Sequence, residues 1–203
     1  MNNEILDNLK DRIAKCTKCE LCKTRNLTVA GEGMPNSKLM FIGEAPGEVN
    51  NEVGRPFVGH GGKIFDKILH NLNIKRSDVF ITNIVKCWPP NNRKPKLQEI
   101  QECTPYLLEQ IKAVKPALII ALGQTAFTTL TNTKIKIKEE HGKVVSMNNL
   151  NVCCTYHPNG IRYVKGGLQT ILNDIVSGLQ QIGATVPTPP SNNQLTIFND
   201  EQN

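Results

Sequence analysis

A chain of 203 residues, 39% apolar and 21% charged, is long enough to bury one substantial core. It holds no apolar run approaching the ~20 residues of a membrane span. A net charge of +6 argues against an acidic binding module and leans toward a polyanionic partner. The opening residues MNNEILDNLKDRIAKC lack the basic-then-apolar order of a secretory leader, so a cytoplasmic, reducing setting is expected; there the seven cysteines are metal ligands or small core residues rather than disulfides.

In chain order, the first unusual stretch is AKCTKCELCKTRN, with Cys16, Cys19 and Cys22 at a stride of three. The apolar segments then alternate in period: KLMFIGE reads as a strand, followed by a helix from Gly62 to Leu72. VFITNIVKC is a strand leading to a helix from Leu97 to Val114, and ALIIALG a strand before a short helix after Gly123. Lys134, Lys136 and Lys138 alternate with Ile135 and Ile137 in a strand-like pattern. KVVSM and NVCCTYH read as paired strands, and Leu168 to Gln181 as the last amphipathic helix. Nearly continuous apolar strands are buried on both faces, which predicts an α/β fold: a three-layer αβα sandwich with a central, mostly parallel four-stranded sheet over residues 1–182. In such sheets ligands sit beyond the carboxyl ends of the strands, so GEAPG, TNIVKC, LGQT and YHPNG should meet at one edge. Residues 183–203, including the Pro-rich ATVPTPPSNN, are expected to form an extended tail.

Four thiolates saturate either a 4Fe-4S cluster or a tetrahedral zinc ion, and Cys16 and Cys19 supply one pair. Cys87, at the end of a strand, and Cys103, in the helix after it, supply a second. Cys153 and Cys154 are adjacent in an apolar strand, point to opposite faces and read as core.

Taken together and in this order, C-x-x-C-x-L-x-x-x-R at Cys16, Cys19, Leu21 and Arg25, GEAPG followed by GRPFVG, ITNIVKCWPP, LIIALG and the HP at His157 resemble the family 4, iron-sulfur, uracil-DNA glycosylases. The resemblance spans roughly residues 16 to 180. It implies one 4Fe-4S cluster held by Cys16, Cys19, Cys87 and Cys103, with Cys22 a bystander. It also implies uracil-containing DNA as substrate and a monomeric enzyme that cleaves the N-glycosidic bond of deoxyuridine to leave an abasic site. By the same resemblance Asn83 reads the edge of the everted base, Phe57 stacks on it, His157 donates to the leaving uracil oxygen, and Gly43, Glu44 and Ala45 of GEAPG bind the base or orient water.

Two departures stand out. Where relatives carry an acidic pair beyond GEAPG, this chain has Asn50 and Asn51, so Asn50 is the candidate for holding water, with Glu44 or Glu48 in support. In HPNGIRY the apolar stretch is short, leaving Ile161 or Tyr163 as wedge and Arg162 to meet phosphate. Lys138 and Lys143, with Lys134, Lys136, His141, Arg93, Lys94 and Lys96, are candidates for a phosphate track. The tail segment QLTIF, through Gln194, Ile197 and Phe198, resembles sliding-clamp peptides. The rival expectation, prompted by Asn50 and Asn51, is a DNA-binding repair scaffold of the same fold with weak or no hydrolysis.

Overall fold

The computed structural model describes residues 2–186. The candidate clamp residues Gln194, Ile197 and Phe198 lie outside the described residues.

The chain opens with helix α1 (Asn2–Ala14) and a 3-10 turn at Glu20–Lys23. Strands β1 (Glu32–Gly33) and β2 (Leu39–Gly43), helices α2 (Glu48–Val53) and α3 (His60–Asn71), and strand β3 (Phe80–Asn83) follow. Next come α4 (Leu97–Val114), β4 (Leu118–Leu122), α5 (Gln124–Thr131), α6 (Ile137–Glu140), β5 (Val144–Met147), β6 (Leu150–Thr155), a 3-10 segment at Pro158–Tyr163, and α7 (Gly167–Gln181). The strands form one sheet in the order β1-β3-β2-β4-β6-β5. Its centre is the expected four parallel strands, β3-β2-β4-β6.

The sheet has six strands rather than four because an antiparallel strand is added at each edge. β1 pairs with β3 and β5 with β6. β1 is only two residues long, too short to show a period, and its pairing depends on partners almost fifty residues away.

Alternation along the central strands builds both outer layers. Met40, Ile42, Ile119, Ala121, Val152 and Cys154 face one cluster with Leu107 and Ile111 of α4 and Phe127 of α5. Phe41, Ile81, Ile120, Leu122 and Cys153 face the other, with Phe65 and Ile68 of α3 and Ile171 and Ile175 of α7. Cys153 and Cys154 therefore divide between the two cores, as their adjacency in a strand requires.

The alternation at Lys134–Lys138 has a different origin. Lys134, Lys136 and Lys138 are exposed and Ile135 is buried, but the segment is irregular chain running into the single turn of α6. Glu140 accepts from the Lys136 backbone N–H at 2.8 Å and closes that turn, so a period of two here marks an anchored loop and not a strand.

Helix α4 begins at a capping box in which Glu99 accepts from the Lys96 backbone N–H at 2.7 Å and, on the same carboxylate, from Arg93 at 2.6 and 2.9 Å. This anchors the loop between Cys87 and α4. Arg12 of α1 forms a bidentate pair with Glu109 of α4.

Candidate active site

A cleft of about 660 Å³ opens at the carboxyl edge of the parallel strands, lined by residues of GEAPG, GRPFVG, Asn83, Leu122, Gly123 and the turn at His157. The four segments expected to converge do so. The opening is set by strand ends: the Ile84 N–H donates to the Gly43 carbonyl at 2.9 Å and the Gly123 N–H to the Thr155 carbonyl at 2.8 Å, fixing where β2, β3, β4 and β6 let go of the sheet.

Gly43 has to be glycine for steric reasons. A Cβ there would lie 2.4 Å from Asn83 Oδ1 and 2.7 Å from Phe57 Cζ, so the bare backbone lets the amide and the ring approach each other. Phe57 holds a left-handed backbone conformation, φ 51°, which costs a residue with a Cβ about 1–2 kcal/mol. Packing holds it there: its ring lies 5.1 Å from that of Phe65 and 5.7 Å from His157, nearly parallel to the imidazole. Arg76 donates to the Pro56 carbonyl just before it and pairs with Glu32 and Asp66, while Arg55 pairs with the same Glu32. Burial would raise the Glu32 carboxyl, but the hydrogen bonds from Arg55 and Arg76 prevail and hold it below its ordinary value.

Asn83 is buried, and among the described residues its Oδ1 is the one fully buried side-chain oxygen or nitrogen without a hydrogen-bond partner. A buried acceptor left empty costs about 1–3 kcal/mol, so a site that keeps one is arranged for a donor arriving from outside. His157 accepts at Nδ1 from the Asn159 backbone N–H at 3.2 Å, which leaves the proton on Nε2. Burial holds the imidazole down to about pKa 4, so the ring is neutral at neutral pH.

This has a measurable consequence. An imidazole with a folded pKa near 4 and an unfolded value near 6.5 binds its proton more readily in the unfolded chain. Stability therefore falls as pH drops from about 6.5 toward 4 and is unaffected by this group above that window. An NMR titration should place the His157 midpoint near 4, and a midpoint at 6 or above would contradict a desolvated neutral ring.

Glu44 is half-buried in the cleft and Glu48 exposed at its rim. Asn50 also lines the cleft, but its amide is engaged in closing the turn: Oδ1 accepts from the Gly47 N–H and Nδ2 donates to the Arg55 carbonyl, both at 2.9 Å. Asn51 is buried and accepts from the Asn26 backbone N–H. Asn50 thus closes its own turn and Asn51 braces the Asn26 backbone, which leaves Glu44 as the half-buried carboxylate of the cleft.

The basic candidates separate. Arg162 lies in the 3-10 segment after His157, its guanidinium 4.8 Å from the Tyr163 ring, and Tyr163 is 79% exposed while Ile161 packs into the core. Lys138 and Lys143 are exposed near β5 and β6 and do not line the cleft. Their neighbour His141 is bound to Asp174 at 2.7 Å, whereas Arg93, another of the basic candidates, lines the cleft. Sequence reasoning missed Asn159, whose amide occupies the space a side chain at Gly61 would need, as well as the Glu32–Arg76 brace.

The structure holds a second cavity. Cys16, Cys19, Cys22, Cys87 and Cys103 line it together with Arg25, Lys86 and Tyr106. Arg25 donates to Cys87 Sγ and the Lys86 backbone N–H to Cys103 Sγ, both at 3.3 Å. Burial pushes the Cys87 thiol up to about 11, against the pull of Arg25, and raises Cys19 and Cys103 as well. Buried thiols of this kind ionise only when a cationic group shares the space. Among the described residues no three His, Cys, Asp or Glu side chains are gathered as they would be around a single metal ion. The thiols that border the cavity are the donor type taken by zinc and by iron-sulfur clusters.

Residues 30–176 match the family model of the uracil DNA glycosylase superfamily. The chain is 44% identical over 168 residues to a type-4 uracil-DNA glycosylase of Saccharolobus solfataricus, covering 78% of this chain and 77% of that protein. This chain belongs to the type-4 uracil-DNA glycosylases. Type-4 relatives from Pyrobaculum aerophilum and Thermotoga maritima are 42% and 39% identical, over 77% of this chain in each case and 84% and 82% of their own lengths. In this type-4 chain the superfamily match contains the whole cleft, from GEAPG through His157, with Cys87 and Cys103. Cys16 and Cys19 precede it.

Proposed function

We propose that the cleft receives one uracil everted from DNA and that the enzyme hydrolyses its N-glycosidic bond in base excision repair. The observation that carries this reading is the empty, buried Asn83 Oδ1. The N3–H of uracil is a donor suited to it, whereas the same ring position of cytosine is an acceptor and would leave both groups unsatisfied.

In the reaction water adds to C1′ of the sugar as the C1′–N1 bond breaks, and the bonding electron pair leaves with uracil. The neutral His157, donating from Nε2, stabilises negative charge on the departing base without having to lose a charge of its own. Glu44 favours cationic character at the sugar and orients the water. Phe57, its ring packed against those of Phe65 and His157, supplies an aromatic wall of the cleft against which the base would pack. Tyr163 suits the wedge better than Ile161, because it is 79% exposed and gives up only its contact with Arg162 on entering the base stack, whereas Ile161 would have to leave the core it packs against.

An oligonucleotide carrying a single uracil, treated with the protein and then alkali, tests the activity. A break at the uracil is expected, while binding without breakage would favour the scaffold reading.

For the second cavity we infer a 4Fe-4S cluster on Cys16, Cys19, Cys87 and Cys103. When bound it supplies a cross-link between the N-terminal segment, the end of the Asn83 strand and α4. Cys87→Ala is expected to abolish bound iron and lower the melting temperature by several degrees, checked by iron assay and calorimetry. Full iron content at an unchanged melting temperature would remove Cys87 from the ligand set. In the tail, Gln194, Ile197 and Phe198 are proposed to tether the enzyme to a sliding clamp and raise its concentration at DNA.

A further inference from the structure

Lys86 is 1% exposed, and its amine makes three short hydrogen bonds: to the Asn83 carbonyl at 2.6 Å, to Thr82 Oγ1 at 2.7 Å and to Gln110 Oε1 at 2.7 Å. No carboxylate is among these partners. Burying such a long amine is costly unless its donors are all used, and here three acceptors meet its three possible N–H groups. Two of the acceptors are themselves fixed: Thr82 Oγ1 donates to the Ala30 carbonyl at 2.9 Å and Gln110 Nε2 to the same carbonyl at 2.7 Å. The backbone of Lys86 is held too. Its carbonyl accepts from the Val29 N–H at 2.8 Å, and its N–H donates to Cys103 Sγ. Lys86 thus stands between the two cavities. Its backbone borders the thiols, and its side chain folds back three residues onto the strand end that carries Asn83.

We propose that Lys86 is the positioning residue of Asn83, fixing that backbone so that the side-chain amide faces the everted base. This rests on the reading of Asn83 given above. Lys86 touches neither base nor sugar. It acts by holding the Asn83 peptide in one orientation, and its attachment beside Cys103 lets the thiol cavity set the same orientation.

The test compares two DNA ligands that differ in what Asn83 has to read. One carries 2′-fluoro-deoxyuridine, which resists hydrolysis but presents uracil; the other carries an abasic-site analogue with no base. Lys86→Met is expected to bind the fluorouridine DNA about tenfold to a hundredfold more weakly than wild type, with affinity for the abasic DNA and iron content unchanged. In an Asn83→Ala background the same substitution should have no further effect on fluorouridine affinity. Equal losses on both DNAs, or a full additional loss in the Asn83→Ala background, would overturn the proposal in favour of a purely structural role. If Lys86→Met does not fold, Gln110→Met removes one of the three acceptors without touching the strand; it should show a smaller loss confined to the fluorouridine DNA, and an equal loss on both would count against the idea. Failure of wild type to distinguish fluorouridine DNA from undamaged DNA would instead refute the base-reading role of Asn83.

Discussion

Replacing Asn83 with alanine is expected to lower the single-turnover rate of uracil excision by about a hundredfold or more, the range seen when one preorganised hydrogen-bonding group is removed from a reacting centre. The substitution also removes a buried acceptor that no protein group satisfies. Its thermodynamic effect should therefore run opposite to its catalytic one, with the melting temperature unchanged or slightly raised. That pairing is diagnostic. A slower enzyme with a lower melting temperature would mean that the amide supports the fold, and an unchanged rate would exclude it from base recognition. Single-turnover kinetics with excess enzyme, alongside calorimetry of the same preparation, provide both numbers.

Gly43→Ala is expected to be nearly as damaging although it adds one methyl group. That methyl would stand 2.4 Å from Asn83 Oδ1 and 2.7 Å from the Phe57 ring. Neither neighbour can yield easily: Asn83 belongs to the sheet, and Phe57 is wedged against Phe65 in a left-handed backbone. Overpacking of this kind costs about 1–3 kcal/mol. Displacing the reader and the stacking ring by even 1 Å costs about a hundredfold in rate. The nearest neighbours of that methyl are not among the residues that line the thiol cavity, so iron content should stay at the wild-type level. A variant excising uracil at the wild-type rate would show that the amide and ring are not held in place by this contact.

Much of this architecture was legible in the sequence because the signals were local. Apolar runs such as LIIAL and LMFIG identified the parallel strands, and strand geometry alone divided Cys153 from Cys154. The rim positions followed, since glycines and polar residues ending such runs have few places to go but the carboxyl edge. What escaped depends on distant partners. β1 is a strand only because Phe80 and Ile81 lie beside it, and Glu32 matters only because Arg55 and Arg76 reach it. Asn50 looked like a weakened catalytic group, and its engagement with Gly47 and Arg55 could not be seen without the turn's coordinates. Lys86 did leave a trace, as the one cation in the otherwise apolar stretch from Ile84 to Cys87. A period of two misled at Lys134–Lys138 because one buried isoleucine anchoring a loop mimics a strand over so short a span.

The division of the cysteines has a practical corollary for handling the protein. Cys153 and Cys154 are wholly enclosed, with thiols pushed up to about 12, so alkylating dyes and peroxide should ignore them in the native state. The remaining five all border one chamber, and mass-spectrometric adduct counting on intact protein would therefore test whether the proposed cluster fills that chamber.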